Sequence, residues 1–250
     1  HSGVYGGAIA NPANVLSELI ASLKDENGRI SIPGFYDQVQ PPSEEEKRKM
    51  KDIPVYDEEF KKAVGVHALN GEKGYSAYES TSLRPTLDVN GIWGGYTKEG
   101  AKTVLPAEAH AKISMRLVPD QDEDEIADQV TKHLHNIAPA SVKVQVDKLH
   151  GAKPVVVSTD CEEYQAASQA YQETFGTAPL PVRTGGSIPI VAFFSQQMEM
   201  VPIMMGFGLD SDAIHSPNEK FNTDNFFKGI ETIPLFFKHL AALKQQASVS

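Results

Sequence analysis

The 250-residue chain has a single cysteine, Cys161, so no internal disulfide can form. That usage favours a reducing compartment, and the expected location is cytoplasmic. No Asn-x-Ser/Thr glycosylation acceptor occurs, in keeping with the same reading. Cations are in deficit, with 23 Lys and Arg against 33 Asp and Glu, a net charge of −10. Nucleic-acid backbones and anionic membranes both need clustered cations, so neither is an expected partner. No run approaches the roughly 20 apolar residues needed to span a bilayer. Gly 19 and Pro 16 are too few for a collagen-like or low-complexity chain, and 40% hydrophobic with 22% charged residues excludes a disordered one. Several catalytic signatures are missing: His-Glu-x-x-His, Cys-x-x-Cys and the phosphate-binding Gly-x-x-x-x-Gly-Lys-Ser/Thr. Gly185-Gly186-Ser187 is no nucleophile elbow, because Pro189 occupies the second glycine position. The chain opens on His1-Ser2-Gly3 with neither Met nor an apolar leader, so residue 1 is expected to lie in the middle of a longer protein.

The elements that are present divide into two styles. Asn11 and Pro12 suit the start of a helix whose apolar stripe is Val15, Leu16, Leu19, Ile20 and Leu23. Ser43 to Glu46 is a capping-box pattern, Asp57 to Val66 is a second short helix, and Asn70 to Ser82 reads as loop. Leu83 to Trp93 and Ala109 to Val118 read as strands, the second alternating Ala109, Ala111, Ile113, Met115 and Leu117 against polar residues. Asp122 to Ala138 reads as a helix with Ile126, Val130, Leu134 and Ile137 on one face, and Val142, Val144 and Val146 as a further strand. This order predicts an α+β domain, an antiparallel sheet backed by helices, over residues 1–152. Residues 153–250 read as an α/β unit, with helices at Asp160–Phe175 and Thr223–Lys244 and buried strands at Pro189–Phe194 and Val201–Met205.

Three clusters can carry chemistry. Arg183-Thr184-Gly185-Gly186-Ser187-Ile188-Pro189 sets paired glycines where a ligand can approach backbone N–H groups, or forms a simple tight turn. His215 lies in the polar loop Gly208–Glu219, where α/β sheets place ligands, and is a metal ligand or a surface histidine. Acids near it could orient its second nitrogen. Arg116, on the polar face of its strand, can hold a carboxylate through two parallel hydrogen bonds, or is a solvated face residue.

Five segments occurring in order carry a family resemblance: His1–Gly7, Ala101–Pro106, Ser114–Pro119, Gly185–Pro189 and His215–Lys220. The chain resembles the dinuclear zinc peptidases that include carnosinase, cytosolic nonspecific dipeptidase, aminoacylase and the acyl-diaminopimelate desuccinylases, with the carnosinase and dipeptidase branch matching best. The resemblance implies that residues 1–152 are a lid and dimerisation domain, and that 153–250 are the C-terminal part of a zinc-binding catalytic domain. It implies roles residue by residue. His215 would be a zinc ligand, and His1 would steady the developing oxyanion in the partner subunit's site. Thr103 would line that same site, Arg116 would grip the substrate's C-terminal carboxylate, Gly186 and Ser187 would bind the same end, and His150 would contact substrate. It further implies two zinc ions, with manganese as the other candidate, ~3.5–4 Å apart and polarising a peptide carbonyl. The expected substrate is a dipeptide or short peptide, and the expected assembly a homodimer. The alternatives are a parent that hydrolyses N-acyl amino acids, and a chain acting alone as a non-catalytic dimerisation and lid module.

One departure is plain. The family's upstream His-x-Asp segment and acidic ligands have no counterpart in these 250 residues, so this chain on its own is expected to be inactive. Thr184 also stands where many relatives have an acid.

Overall fold

The computed structural model describes residues 1–50, 57–185 and 188–247. The chain forms two compact units: His1–Lys47 with Pro54–Pro154 and Arg183–Pro189, and Arg48–Ile53 with Val155–Val182 and Ile190–Ser250. Among the described residues, no helix is long and apolar enough to cross a membrane.

The first unit begins with a four-residue helix, α1 (Ser2–Tyr5), followed by α2 (Pro12–Ala21). The α2 start follows its sequence: Asn11 accepts a hydrogen bond from the Ala13 N–H at 2.9 Å, and Pro12 takes the first turn, where a missing N–H costs nothing. Then come α3 (Glu44–Met50), α4 (Asp57–Val64) and α5 (Ala77–Ser82). Strands β1 (Thr86–Gly94) and β2 (Ala109–Arg116) pair antiparallel, Thr86 opposite Arg116 and Gly94 opposite Ala109. A register shift between Val89 and Gly91 marks a bulge.

A two-stranded ribbon is marginal by itself. Here its apolar face packs on α6 (Glu123–Ile137). Leu87, Ile126 and Val130 join Leu23, Ile30, Ile32 and Phe35 in one buried cluster, with Ile113, Met115, Leu117 and Leu134 against it. Of the inward positions expected of the second strand and of this helix, Ile113, Met115, Leu117, Ile126, Val130 and Leu134 do build the core; Ala109 and Ala111 are half-buried outside it and Ile137 is exposed.

The second unit contains α7 (Glu162–Phe175), α8 (Pro189–Gln197) and α9 (Thr223–Ala247). Gly176 ends α7 in the left-handed conformation, φ 78°. The fully buried Ala166 and Ala170 are small enough for α7 and α9 to pack closely, and Thr174 meets the buried Thr232 at 2.8 Å. Pro234 lies inside α9. Much of the unit's apolar surface is open, including Phe193, Phe226, Phe227, Ile230 and Phe237.

The fold is the expected mixture of helices with an antiparallel sheet, but four segments differ from the sequence reading. Val142 to Val146 is not a strand, Pro189–Gln197 is helical, and Val201 to Met205 has no regular structure. Short apolar runs without alternation do not distinguish a buried strand from a buried helix. Asn70 to Ser82, read as loop, holds α5.

Candidate functional site

The sites expected from sequence fall into local groups. In the first unit Arg116 ends β2 with a half-buried guanidinium. Its Nη2 donates to the carbonyl oxygens of Ser80 at 2.7 Å and Arg84 at 3.1 Å. Its Nε is buried without a partner. Burial pulls the guanidinium below its ordinary pKa, with the Asp88 charge opposing. Among the described residues no carboxylate forms an ion pair with Arg116, so a partly desolvated cation is met by two carbonyl dipoles, with the Asp88 charge acting only from a distance. That arrangement can bind an anion.

Arg84, which supplies one of these carbonyls, is held by a second cluster. Glu72 accepts from Arg84 Nε at 2.8 Å and Nη2 at 2.9 Å, and from Arg29 at 3.2 Å. Arg29 stacks 3.8 Å from the Tyr36 ring centroid, and Arg84 lies over Tyr36 and Tyr75. Burial lowers the Arg84 pKa, but the hydrogen bonds and charge of Glu72 outweigh it and leave the guanidinium above its ordinary value.

Gly185 lies against Arg116. A Cβ at Gly185 would collide with Arg116 Nη1 and sit 2.6 Å from its Cδ and 2.7 Å from the Thr81 carbonyl oxygen. The structure therefore brings the start of the paired-glycine segment to the arginine, two motifs far apart in sequence. Gly186 and Ser187 lie outside the described residues. We expect Gly185→Ala to force this contact apart at a cost of about 1–3 kcal/mol, the usual range for overpacking. A thermal unfolding curve, read beside KM for a carboxylate substrate, checks both halves of that expectation.

His1 and Thr103 also meet. His1 Nδ1 accepts from the Gly3 N–H at 3.0 Å, and Nε2 lies 3.1 Å from Thr103 Oγ1. An accepting Nδ1 places the proton of the neutral ring on Nε2, which donates to the Thr103 hydroxyl. The Ser2 N–H donates to the Thr103 carbonyl at 3.1 Å, closing the pair. Lys102 and Val104 beside it line an open cleft of about 450 Å³ with Trp93, Tyr96 and His110. The rings of Trp93 and His110 stack at 5.1 Å.

His150 is exposed, on a segment fastened to the acidic start of α6. Lys148 pairs with Asp124, Lys153 with Asp122 at 3.0 Å, and a Cβ on Gly151 would lie 2.9 Å from Glu123 Cγ. The hydrogen bond from Lys153 holds the Asp122 carboxyl below the usual range.

In the second unit His215 is exposed on the loop 209–220, at φ 60°. Ala213 and Asn218 are also left-handed, at φ 54° and 63°. The buried Asp212 staples this loop: it accepts from the Leu209 N–H at 2.7 Å, and its carbonyl accepts from the Lys220 N–H at 2.9 Å. Asp212 faces the loop's backbone, and no bond links it to the His215 ring. Among the described residues no group of three or more His, Cys, Asp and Glu is placed to hold a metal ion. The described donors therefore do not by themselves make a metal site, and His215 lies among them outside any such group.

The peptidase dimerisation domain of the M20 family matches residues 1–142. The chain belongs to the M20 metallopeptidase family, in its carnosinase and dipeptidase branch. It is 33% identical to the Beta-Ala-His dipeptidase of Homo sapiens over 97% of its own length and 48% of that protein's. It is 31% identical to the Cys-Gly metallodipeptidase of Saccharomyces cerevisiae, over 96% and 50%. The solved M20 metallo-carboxypeptidase of Sulfolobus solfataricus superposes with a TM-score of 0.85 at 30% identity, over 96% of this chain and 55% of that one. The chain spans about half the length of the curated relatives it matches.

Among the relatives of this M20 chain are a metallodipeptidase and a metallo-carboxypeptidase, and His215 is the one metal ligand expected from its sequence. Sequence reasoning missed Tyr78, Ser80 and Glu72. The Ser76-x-x-Glu79 capping box, which starts α5, was the available signal for the first two.

Proposed function

We propose that this chain is part of a zinc-dependent dipeptidase that hydrolyses dipeptides or short peptides with a free C-terminal carboxylate. The observation that carries the reading is Arg116: a half-buried guanidinium, without a carboxylate partner, pressed against the paired-glycine segment. Such a site discriminates by leaving its own polar groups unpaired when the carboxylate is absent. Residues 1–152 serve as lid and dimerisation domain, and 153–250 as the C-terminal part of the catalytic domain. Arg116 anchors the carboxylate, Gly186 and Ser187 bind the same end, and His150 contacts substrate. His1, with its proton on Nε2, is the oxyanion donor in the partner subunit's site, and Thr103 lines that site beside it.

His215 is one ligand of a metal centre of two zinc ions, or of manganese, whose remaining ligands are not among the described residues. The working form is a homodimer joined through the first unit, in a reducing, cytoplasmic setting that suits the lone Cys161. The apolar surface left open on the second unit suits a face covered by further protein.

A substrate panel tests the reading. The full-length protein is expected to hydrolyse free dipeptides and to leave N-acyl amino acids largely intact. The reverse preference would assign it to the acyl-amino-acid hydrolases instead. Sedimentation of this chain tests the dimer, and a strictly monomeric chain would contradict it.

A further inference from the structure

The six-residue helix α5 touches the Arg116 site at three points. Its Ser80 carbonyl accepts from Arg116, its Thr81 carbonyl abuts Gly185, and its Tyr78 hydroxyl accepts from the Arg183 N–H at 3.1 Å. The Arg183 guanidinium, two residues before Gly185, pairs with Glu46 in the first turn of α3. Glu46 has two tasks there. One carboxylate oxygen accepts from the Ser43 N–H at 2.9 Å, closing the capping box, and the other takes Arg183. Burial raises the Glu46 pKa, but the bonds from Ser43 and Arg183 outweigh it and leave the carboxyl below the usual range. Main chain and side chain of Arg183 are therefore held from two separate helices, two residues before the glycine that lies against Arg116.

We propose that Tyr78 and Glu46 are positioning residues for substrate binding: by clamping Arg183 they seat Gly185 on the Arg116 guanidinium, so that two distant segments form one receptor for a substrate carboxylate. The proposal rests on the reading of Arg116 as the carboxylate anchor. Neither residue touches substrate, and both act through Arg183. Their loss weakens carboxylate binding without touching the bond-breaking machinery.

The chemistry of each substitution is specific. Glu46→Gln keeps an acceptor for the Ser43 capping box, since glutamine serves that position as well, and removes only the charge that holds Arg183. Tyr78→Phe keeps the ring and leaves the Arg183 N–H without its acceptor. One ionic tie or one hydrogen bond is at stake in each, so KM for a free dipeptide is expected to rise about five- to tenfold, with kcat within about twofold.

The experiment is steady-state kinetics of the full-length protein on a free dipeptide and on the same dipeptide with a C-terminal carboxamide. The variants are Glu46→Gln, Tyr78→Phe, Arg183→Met, the Glu46→Gln/Arg183→Met pair and Arg116→Ala. Expected is a raised KM for the free dipeptide in each, an unmoved KM for the amide, and a double variant no worse than Arg183→Met alone. Additive effects of Glu46→Gln and Arg183→Met would overturn the clamp, as would a fall in kcat at unchanged KM. If Arg116→Ala raises KM while Glu46→Gln and Tyr78→Phe do not, the proposal fails and the anchor reading survives. If Arg116→Ala leaves KM unchanged, the anchor reading fails and takes the proposal with it. Should one single variant not fold, the other together with the Arg183 cycle decides the question.

Discussion

Arg116→Ala in the full-length protein is expected to lower kcat/KM on free dipeptides by about 10²–10³-fold, the loss from removing two charge-assisted hydrogen bonds worth roughly 1.5–3 kcal/mol each, less what water restores. The same change is expected to leave thermal stability nearly unchanged or slightly raised. Arg116 is half-buried, its Nε has no partner, and only the carbonyls of Ser80 and Arg84 accept from it. A partly desolvated cation whose nearest counter-charge, Asp88, makes no ion pair with it is a cost to the folded state, and removing it relieves that cost. Activity and stability therefore move apart, which a purely structural arginine would not do. Arg116→Lys keeps the charge but not the fork that matches a carboxylate, and is expected to recover only part of the activity. Steady-state kinetics beside a thermal melt reads both.

Glu72→Ala is expected to destabilise the first unit by about 3–5 kcal/mol, the usual cost of breaking a buried ion pair from one side. The Glu72 and Arg84 side chains are only 11% and 12% exposed, and the carboxylate accepts from both Arg84 and Arg29. Without it, two guanidiniums packed on Tyr36 and Tyr75 lose their counter-charge. At about 2–4 °C per kcal/mol for a domain of this size, the melting midpoint falls by roughly 6–20 °C. The Arg84 carbonyl that orients Arg116 moves with the network, so KM for a free dipeptide rises as well. Glu72→Gln keeps an acceptor and is expected to cost less. A midpoint within a degree of wild type would show that the cluster adds little.

A smaller effect follows from acid. Glu46 has a folded pKa below its ordinary value, so the contribution of its tie to Arg183 is fully present above about pH 4.5. It is lost as the pH falls through the depressed folded value. The Asp122 carboxyl, also held low, behaves in the same sense and releases Lys153 and the segment bearing His150. The protection factor of the Arg183 amide, followed from pH 6 downward, is expected to fall only once the pH is below the ordinary carboxyl range, not near neutrality.

Much of the first unit could be read from sequence because its patterns are local. Asn11-Pro12 does start a helix, Ser43 and Glu46 do form a capping box, and the alternation through Ile113 and Met115 does face the core. The second unit was read less well. Pro189 to Phe194 and Val201 to Met205 are apolar without a period, and tertiary context alone settles their conformation. The site divides the same way. Arg116, His1, Thr103 and the glycine segment were found by motif, and the structure pairs His1 with Thr103 and Arg116 with Gly185. Tyr78, Ser80, Glu72 and Glu46 act through contacts across 12 to 137 residues of chain, which no local pattern encodes. The sequence pattern assigns Glu46 a place in a capping box, and its second bond, to Arg183, shows only when the chain is folded.

The most direct test of the central claim is a cycle over two substrates and two proteins: the full-length wild type and Arg116→Ala, each on a dipeptide and on its C-terminal carboxamide. The wild type is expected to prefer the free carboxylate by about a hundredfold in kcat/KM, and Arg116→Ala to lose nearly all of that preference while hydrolysing the amide as the wild type does. A preference that survives in Arg116→Ala, or a wild type that does not distinguish the two substrates, would contradict the assignment of this site as the carboxylate receptor of a dipeptidase.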